Sequence, residues 1–244
     1  MITPRAKDSI HKAWLFRLLM SIADSPSLSK KLYFKGGTCA AMRQFLDRFS
    51  VDLDFDMMGS RNDINSVRHQ LEALFDNLGL TIDTKSNRGI QYFLKYPAPE
   101  HERNTIKLDT QFPPPKATHY EAAYFSEIDR TLMTQTIDSM MANKLVAVVD
   151  RWESNGSFAG RDIYDIHHFF MKGFSYNIDI IKERTALSPK TYFKKLIQHI
   201  EDHYTLTIIQ QDLNMLLPSK KFQQIYKILK QETLNLLQDE LNRL

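Results

Sequence analysis

The sequence predicts an α+β protein: a mixed α/β half containing a β-sheet, followed by a helical half. Three observations point there. Short runs of alternating apolar and polar residues recur up to about residue 112, interleaved with helical stretches. Three consecutive prolines, Pro113 to Pro115, then interrupt the pattern, and proline cannot continue a sheet ladder. From Thr136 onward the apolar residues recur almost entirely at helical spacing. The expected division is an α/β domain over residues 1–130 and a helical domain over residues 131–244.

The elements follow in order. "ITPRAKDSIHKAWLFRLLMSIAD" reads as a helix, with Thr3 as cap, Pro4 at the first helical position, and Ile10, Trp14, Leu15 and Leu18 at helical spacing. "KLYFK" is a short strand, "TCAAMRQFLDRF" a helix and "VDLDFDM" a strand. "DINSVRHQLEALFDNLG" is a helix closed by Gly79. "LTIDTK", "IQYFLKY" and "TIKLDTQF" alternate as strands do. After the prolines, the chain to about Asp129 reads as loop or edge strand. "DSMMANKLVAVVDRW", "GRDIYDIHHFFMKG", "SPKTYFKKLIQHIEDH" and "SKKFQQIYKILKQETLNLLQDELNRL" read as helices.

Composition excludes several classes. The 244 residues are 43% hydrophobic and 25% charged, ordinary for a globular protein. No apolar run approaches the ~18–20 residues of a membrane span, so no membrane partner is expected. Charge and polarity persist to Arg17, unlike a signal peptide, and the cytoplasm is the expected location. A single cysteine, Cys39, excludes an internal disulfide and a cysteine zinc cluster. A net charge of +3 says little about partners. The basic stretches Lys190–Lys195 and Lys220–Lys230 read as solvated helix faces before binding patches.

The segment "YFKGGTCAAMRQFLDRFSVDLDFD", Tyr33 to Asp56, carries the chemistry. Side chains alternate across a strand, so Asp52, Asp54 and Asp56 share one face and Val51, Leu53 and Phe55 the other. Same-face neighbours lie about 6.5–7 Å apart along a strand, close enough for two carboxylates to converge on one small cation. Taken alone, the pattern also describes a solvent-facing strand. The glycine pair adds a second signal. Gly36 and Gly37 stand between a strand and a helix start, where backbone N–H groups and the helix dipole favour an anion. Phosphate donors and metal-binding acids at one end of a sheet suit phosphoryl transfer.

These residues resemble a known family. "KGGT" followed by "RFSVDLD", Arg48 to Asp54, looks like the first motif of the nucleotidyltransferase superfamily, and more closely that of the AbiEii/AbiGii toxin group. "ANKLVAVVDR" is similar to that group's A-x-K-x-x-A helix, with Lys144 as the matching lysine. "GRDIYDI" is similar to its R-D-x-x-D segment, with Asp162 and Asp165 matching. The resemblance covers about residues 32–170, and Gly-Gly-Thr stands where the group also has Gly-Ser.

The resemblance implies a nucleotidyltransferase-like mixed sheet flanked by helices. It also implies a metal-dependent transfer of a nucleotidyl group from a nucleoside triphosphate to RNA, such as a tRNA end, or to a protein. Asp52 and Asp54 would hold Mg²⁺ or Mn²⁺. Asp109 would share the metal or take the acceptor proton, although a Lys107–Asp109 surface pair explains that residue equally well. Gly36, Gly37 and Thr38 would meet the outer phosphates, and Lys144 would contact the triphosphate. Asp162 would serve as ligand or base, in a cleft completed by both halves. Asp165, one turn on, would reach the same space, and a pair with Arg161 or a lysine explains it equally well. Asp56 is expected outside the site, at the surface, and His167 and His168 as packing or surface residues. An antitoxin partner follows from the family. A nucleotide-binding module without turnover, or a metal-dependent phosphohydrolase, stays open as an alternative.

Overall fold

The computed structural model describes all 244 residues. The chain forms two compact units, residues 1–114 with 120–135, and residues 115–119 with 136–244.

The first unit is built on a mixed seven-stranded sheet. Helix α1 spans Asp8–Ala23 and a short α2 spans Pro26–Ser29, followed by β1, Leu32–Lys35. Helix α3 covers Gly36–Met42, β2 Asp52–Met57 and α4 Asp63–Asn77. Strands β3, Thr81–Lys85, β4, Gln91–Lys95, and β5, Thr105–Gln111, follow. The unit closes with β6, Tyr120–Phe125, and β7, Arg130–Gln135. The sheet order is β3-β4-β5-β2-β1-β7-β6, with β2 parallel to β5, β1 parallel to β7, and the other neighbours antiparallel.

One face of this sheet is apolar. Leu94, Leu108, Leu53, Phe55 and Phe34 are fully buried on it, and α1, α3 and α4 pack against the strands. Burying such side chains contributes about 1.5–3 kcal/mol each. The opposite face carries the polar members of the alternation, among them Asp54, Asp109, Gln91 and Lys35. Both faces come from the period-two pattern seen in the sequence.

The second unit is helical: α5 Ile137–Asn155, α6 Gly160–Met171, α7 Ile178–Thr185, α8 Pro189–His203, α9 Leu206–Leu213, α10 Ser219–Ile225 and α11 Leu229–Arg243. Its caps are local. Asn177, Ser188 and Thr205 each accept a backbone N–H at a helix start, and Gly156 ends α5 in the left-handed region. No helix of the protein is long and apolar enough to cross a membrane.

Four details differ from the sequence reading. Helix α1 begins at Asp8 rather than Pro4, because the Asp8 carboxylate turns back to accept Arg5 N–H and Nε–H at 3.1 and 3.0 Å. Helix α3 is shorter than expected and stops where Gln44 adopts φ 60°. The chain from Arg130 to Gln135 is a full strand, inserted between β1 and β6. The last predicted helix is two helices, and no glycine or proline marks the break at Tyr226–Ile228.

Candidate active site

Four strands and one turn assemble the acidic cluster. Asp54 on β2 has Asp109 of β5 as its register partner on one side and Lys35 of β1 on the other. Asp109 is in turn opposite Gln91 of β4. A row Gln91, Asp109, Asp54, Lys35 therefore crosses four strands on the polar face. Asp52 precedes Asp54 by one same-face step and sits opposite Lys107. All six side chains are half-buried.

Asp54 has the most perturbed carboxyl of this row. Burial pushes its pKa up to about 6; the negative charge of Asp52 adds to the rise, Lys35 opposes it, and Asp109 contributes further upward pressure. Like charges brought together in a half-dry site disfavour ionisation.

The glycine turn is shaped to receive that carboxylate. Gly36 has φ +77°, and a Cβ placed on it would lie 2.3 Å from Asp54 Oδ2. Only glycine allows both the backbone conformation and the close approach. A Cβ on Gly37 would lie 2.9 Å from both Arg48 Nη2 and Ser50 Oγ. Thr38 is fully buried, and its hydroxyl donates to the Asp52 carbonyl oxygen. That hydroxyl fixes the start of β2 and is not open to a phosphate. From the other side, the buried His11 of α1 places Nε2 2.9 Å from the Val51 carbonyl, one residue before Asp52.

Asp56 departs from expectation. It was expected at the surface and is fully buried. Its Oδ1 accepts from Lys35 Nζ at 2.6 Å, and its Oδ2 from Tyr120 Oη at 2.8 Å and Gln135 Nε2 at 2.6 Å. Lys35 Nζ also donates to Gln111 Oε1 at 2.5 Å. A buried carboxylate is tolerated only when paired and hydrogen-bonded, and both conditions hold. The sequence cannot disclose β6 and β7 folding beside β1, so it could not supply Tyr120 and Gln135 as partners.

Asp109 Oδ2 accepts from Lys107 Nζ at 2.6 Å and Gln91 Nε2 at 3.0 Å, and Oδ1 carries neither bond. The Lys107–Asp109 pair foreseen in the sequence is thus present. Asp52, Asp54 and Asp109, expected to share a metal, are sheet neighbours, but no three His, Cys, Asp or Glu side chains are gathered as a closed metal-binding set. Asp52 and Asp54 remain a pair of hard oxygen donors. Mg²⁺ commonly takes one or two protein carboxylates and completes its shell with water and phosphate, so the donor chemistry fits such an ion.

In the helical unit, α5 and α6 bring the second group of family-matched residues together. Lys144 Nζ lies 2.9 Å from Asp162 Oδ1 and 2.9 Å from Asp165 Oδ2. Arg151 places Nη2 at 3.1 Å and Nε at 3.3 Å from Asp162 Oδ2. Asp162 and Asp165 are fully buried. Burial pushes the Asp162 carboxyl up, but Lys144, Arg151 and Arg161 outweigh it and hold it well below the usual carboxylate range. A carboxylate so strongly stabilised as an anion is a weak proton acceptor. As a base, the role expected of Asp162 is therefore poorly served; its charge orders Lys144 and Arg151. The i, i+3 spacing of Asp162 and Asp165 puts both on one side of α6, a relation readable from sequence. His167 is buried and donates from Nε2 to Glu232 at 2.8 Å, a packing role as expected.

Sequence reasoning gave no role to Lys35, Arg48 or Gln111. Arg48 is buried and donates to the Phe49 carbonyl at 2.9 Å. Lys35 and Arg48 were visible as the cations flanking the glycine pair and the acidic strand. Gln111 had no signal, since its role depends on β5 pairing with β2.

Comparison with known proteins follows the same lines. Over 98% of both chains, the structure is similar to the crystal structure of a candidate nucleotidyltransferase from H. pylori, with TM-score 0.60 and 20% identity. It is similar to JHP933 from Helicobacter pylori over 99% of this chain and 96% of that one, with TM-score 0.60 and 19% identity. These likenesses establish the nucleotidyltransferase-like fold. No curated relative matches the sequence. The sequence profile described as "Nucleotidyl transferase AbiEii toxin, Type IV TA system" matches residues 17–238. The chain belongs to this AbiEii toxin family and is a nucleotidyltransferase.

Proposed function

We propose that this protein transfers a nucleotidyl group from a nucleoside triphosphate to a hydroxyl on RNA, such as a tRNA end, or on a protein, as the toxin of a toxin–antitoxin pair. The observation that carries the reading is the Asp52–Asp54 pair, with Asp54 set against Gly36 and raised to about 6 by burial and, next, by the charge of Asp52. Carboxylates held in mutual repulsion beside a backbone turn suit a divalent cation and a polyphosphate.

In this reading Asp52 and Asp54 hold Mg²⁺ or Mn²⁺, which would supply neutralisation of charge on the phosphates. The Gly36 and Gly37 backbone positions the outer phosphates. The acceptor hydroxyl oxygen bonds to the α-phosphorus, the bond from that phosphorus to the β-phosphate oxygen breaks, and pyrophosphate leaves. Asp109, whose Oδ1 lies outside its bonds to Lys107 and Gln91, accepts the hydroxyl proton in this reading. Within the helical unit, Asp162 and Asp165 hold the Lys144 ammonium in place. The antitoxin is the implied protein partner.

The test is incubation with each labelled nucleoside triphosphate, Mg²⁺, and total cellular RNA or protein. Label transfer to a macromolecule, lost in Asp54→Asn, is expected. Absence of transfer with all four bases overturns the reading. Tight metal-linked triphosphate binding without transfer would then indicate a binding module, and release of inorganic phosphate a phosphohydrolase.

A further inference from the structure

Strands β3 and β6 end the seven-stranded sheet, and the chain treats its two edges differently. A free edge presents unpaired backbone N–H and C=O groups to another strand, and proteins blunt such edges with bulges, charges or proline. Edge β3 is blunted: its register against β4 shifts between Ile82 and Thr84, and Asp83 and Lys85 stand exposed on it. Edge β6 has none of these devices. Its six residues, "YEAAYF", run in unbroken register with β7 and include no lysine, arginine or proline. Its one charge, Glu121, is already met by Arg43 Nη2 at 2.8 Å. Ala122 is exposed, and Tyr124 is 64% exposed.

The ladder shows which backbone groups of β6 are open. Along an antiparallel pair, residues alternate between exchanging both backbone bonds with the neighbouring strand and turning them away. Thr136 N–H donates to the His119 carbonyl at 3.1 Å, immediately before β6 begins. Counted along the register from there, Glu121, Ala123 and Phe125 bond β7, while Tyr120, Ala122 and Tyr124 turn their N–H and C=O groups outward. An incoming antiparallel strand must meet these three with outward-turned residues of its own. A second copy of β6 does so about a two-fold axis at Ala122. Ala122 then faces Ala122 of the second copy, and Tyr120 of each copy faces Tyr124 of the other. Glu121 falls opposite Ala123, so no like charges are opposed, and aromatic pairs flank a small residue at the axis. Such a contact uses the same patch on both copies and closes at two, because the remaining edge, β3, is blunted. We propose that this protein pairs with a second copy of itself through β6, joining the two sheets into one across Ala122.

Sedimentation velocity on the full chain tests this. At about 100 µM, where a micromolar Kd gives mostly dimer, the natural protein should sediment as a dimer. Ala122→Lys and Ala122→Glu each set like charges across the axis and should be monomeric, with circular dichroism unchanged because the position is exposed. Mixed in equal amounts, the two variants should recover the dimer, since opposite charges then meet at the axis. Ala122→Cys should form an interchain disulfide under mild oxidation, because hydrogen-bonded antiparallel pairs have Cα atoms about 5.5 Å apart. The one native cysteine, Cys39, is buried and does not compete. Ala123→Cys, which lies opposite Glu121 and not its own copy, should not cross-link. A monomeric natural protein overturns the proposal. So does a dimer that survives both charge variants, or one that mixing fails to restore. Should a charge variant misfold, the cysteine variants decide: folded Ala122→Cys protein that does not cross-link, or cross-links no faster than Ala123→Cys, refutes the pairing.

Discussion

Gly36→Ala is the substitution that most directly probes the turn. Two separate effects are expected from the geometry. The first is backbone strain: Gly36 sits at φ +77°, where an L-residue with a Cβ costs about 1–2 kcal/mol. The second is displacement. The new Cβ would lie 2.3 Å from Asp54 Oδ2 and 2.9 Å from its Cβ and Cγ, so the carboxylate must retreat by about 1 Å to reach ordinary contact. Misplacing a reacting or ligand group by about 1 Å can cost on the order of 100-fold in rate. The expected outcome is thus a loss of about 1–3 kcal/mol in urea unfolding, and a fall of about two orders of magnitude in label transfer. Gly79→Ala separates the two effects. Gly79 also has positive φ, +70°, but a Cβ there meets nothing within 4 Å. It should lose stability by strain alone and keep full transfer. Gly36→Ala protein that is folded and transfers within a few-fold of the natural chain would refute the close packing of Asp54 on the turn. Equal losses of transfer in both variants would show that strain, not displacement, is responsible.

The remaining predictions concern stability. Asp162→Asn should cost about 3–5 kcal/mol in urea unfolding, because Lys144 and Arg151 would lose a fully buried counter-charge; a change under about 1 kcal/mol would show that the cluster is solvated in solution. Gly160→Ala should destabilise by about 1–3 kcal/mol, since its Cβ would lie 2.7 Å from the backbone of both Ile208 and Ile209 in α9, and an unchanged melting temperature would refute that packing. His11 is buried, and burial lowers its pKa to about 4 from 6.5. The unfolded chain therefore takes up a proton first, and folding stability is lost as pH falls from about 6.5 toward 4, by roughly 3 kcal/mol in all. His11→Gln should flatten that acid slope in unfolding measured from pH 7 to 4.5, and an unchanged slope would assign it to other groups.

The first half of the sequence was legible where chemistry and period coincide. Asp52 and Asp54 alternate with Leu53 and Phe55, and a period of two both predicts a strand and separates acids from core. Gly36 and Gly37 interrupt the pattern at a point where strand passes to helix. The family match singled out Lys144, Asp162 and Asp165, and the i, i+3 spacing of the two acids puts both on the side of α6 that meets Lys144. What could not be read was the set of partners. Asp56 has the same local surroundings in sequence as Asp54, yet one is half-buried and the other fully closed over. The difference is made by β7 lying parallel beside β1 and bringing β6 with it. Those residues are more than 60 positions away from Asp56, and nothing local announces them.

The same asymmetry explains why the acids of β2 divide by role. A sheet of alternating strands offers one polar face, and a face of bare carboxylates would repel itself. The chain relieves that repulsion at one end of β2 with permanent partners: Lys35, Tyr120 and Gln135 hold Asp56, and the strand is anchored there. At the other end, Thr38 and His11 hold the backbone around Val51 and Asp52, and leave the Asp52 and Asp54 carboxylates without such enclosure. Repulsion relieved inside the fold stabilises it. Burial, with the repulsion from Asp52 left standing beside it, raises the Asp54 carboxyl to about 6, and under the proposed function a bound cation would relieve that charge. Two residues apart on one strand, Asp54 and Asp56 differ in what surrounds them, and that difference makes Asp56 an anchor and leaves Asp54 the acid whose carboxyl is most perturbed.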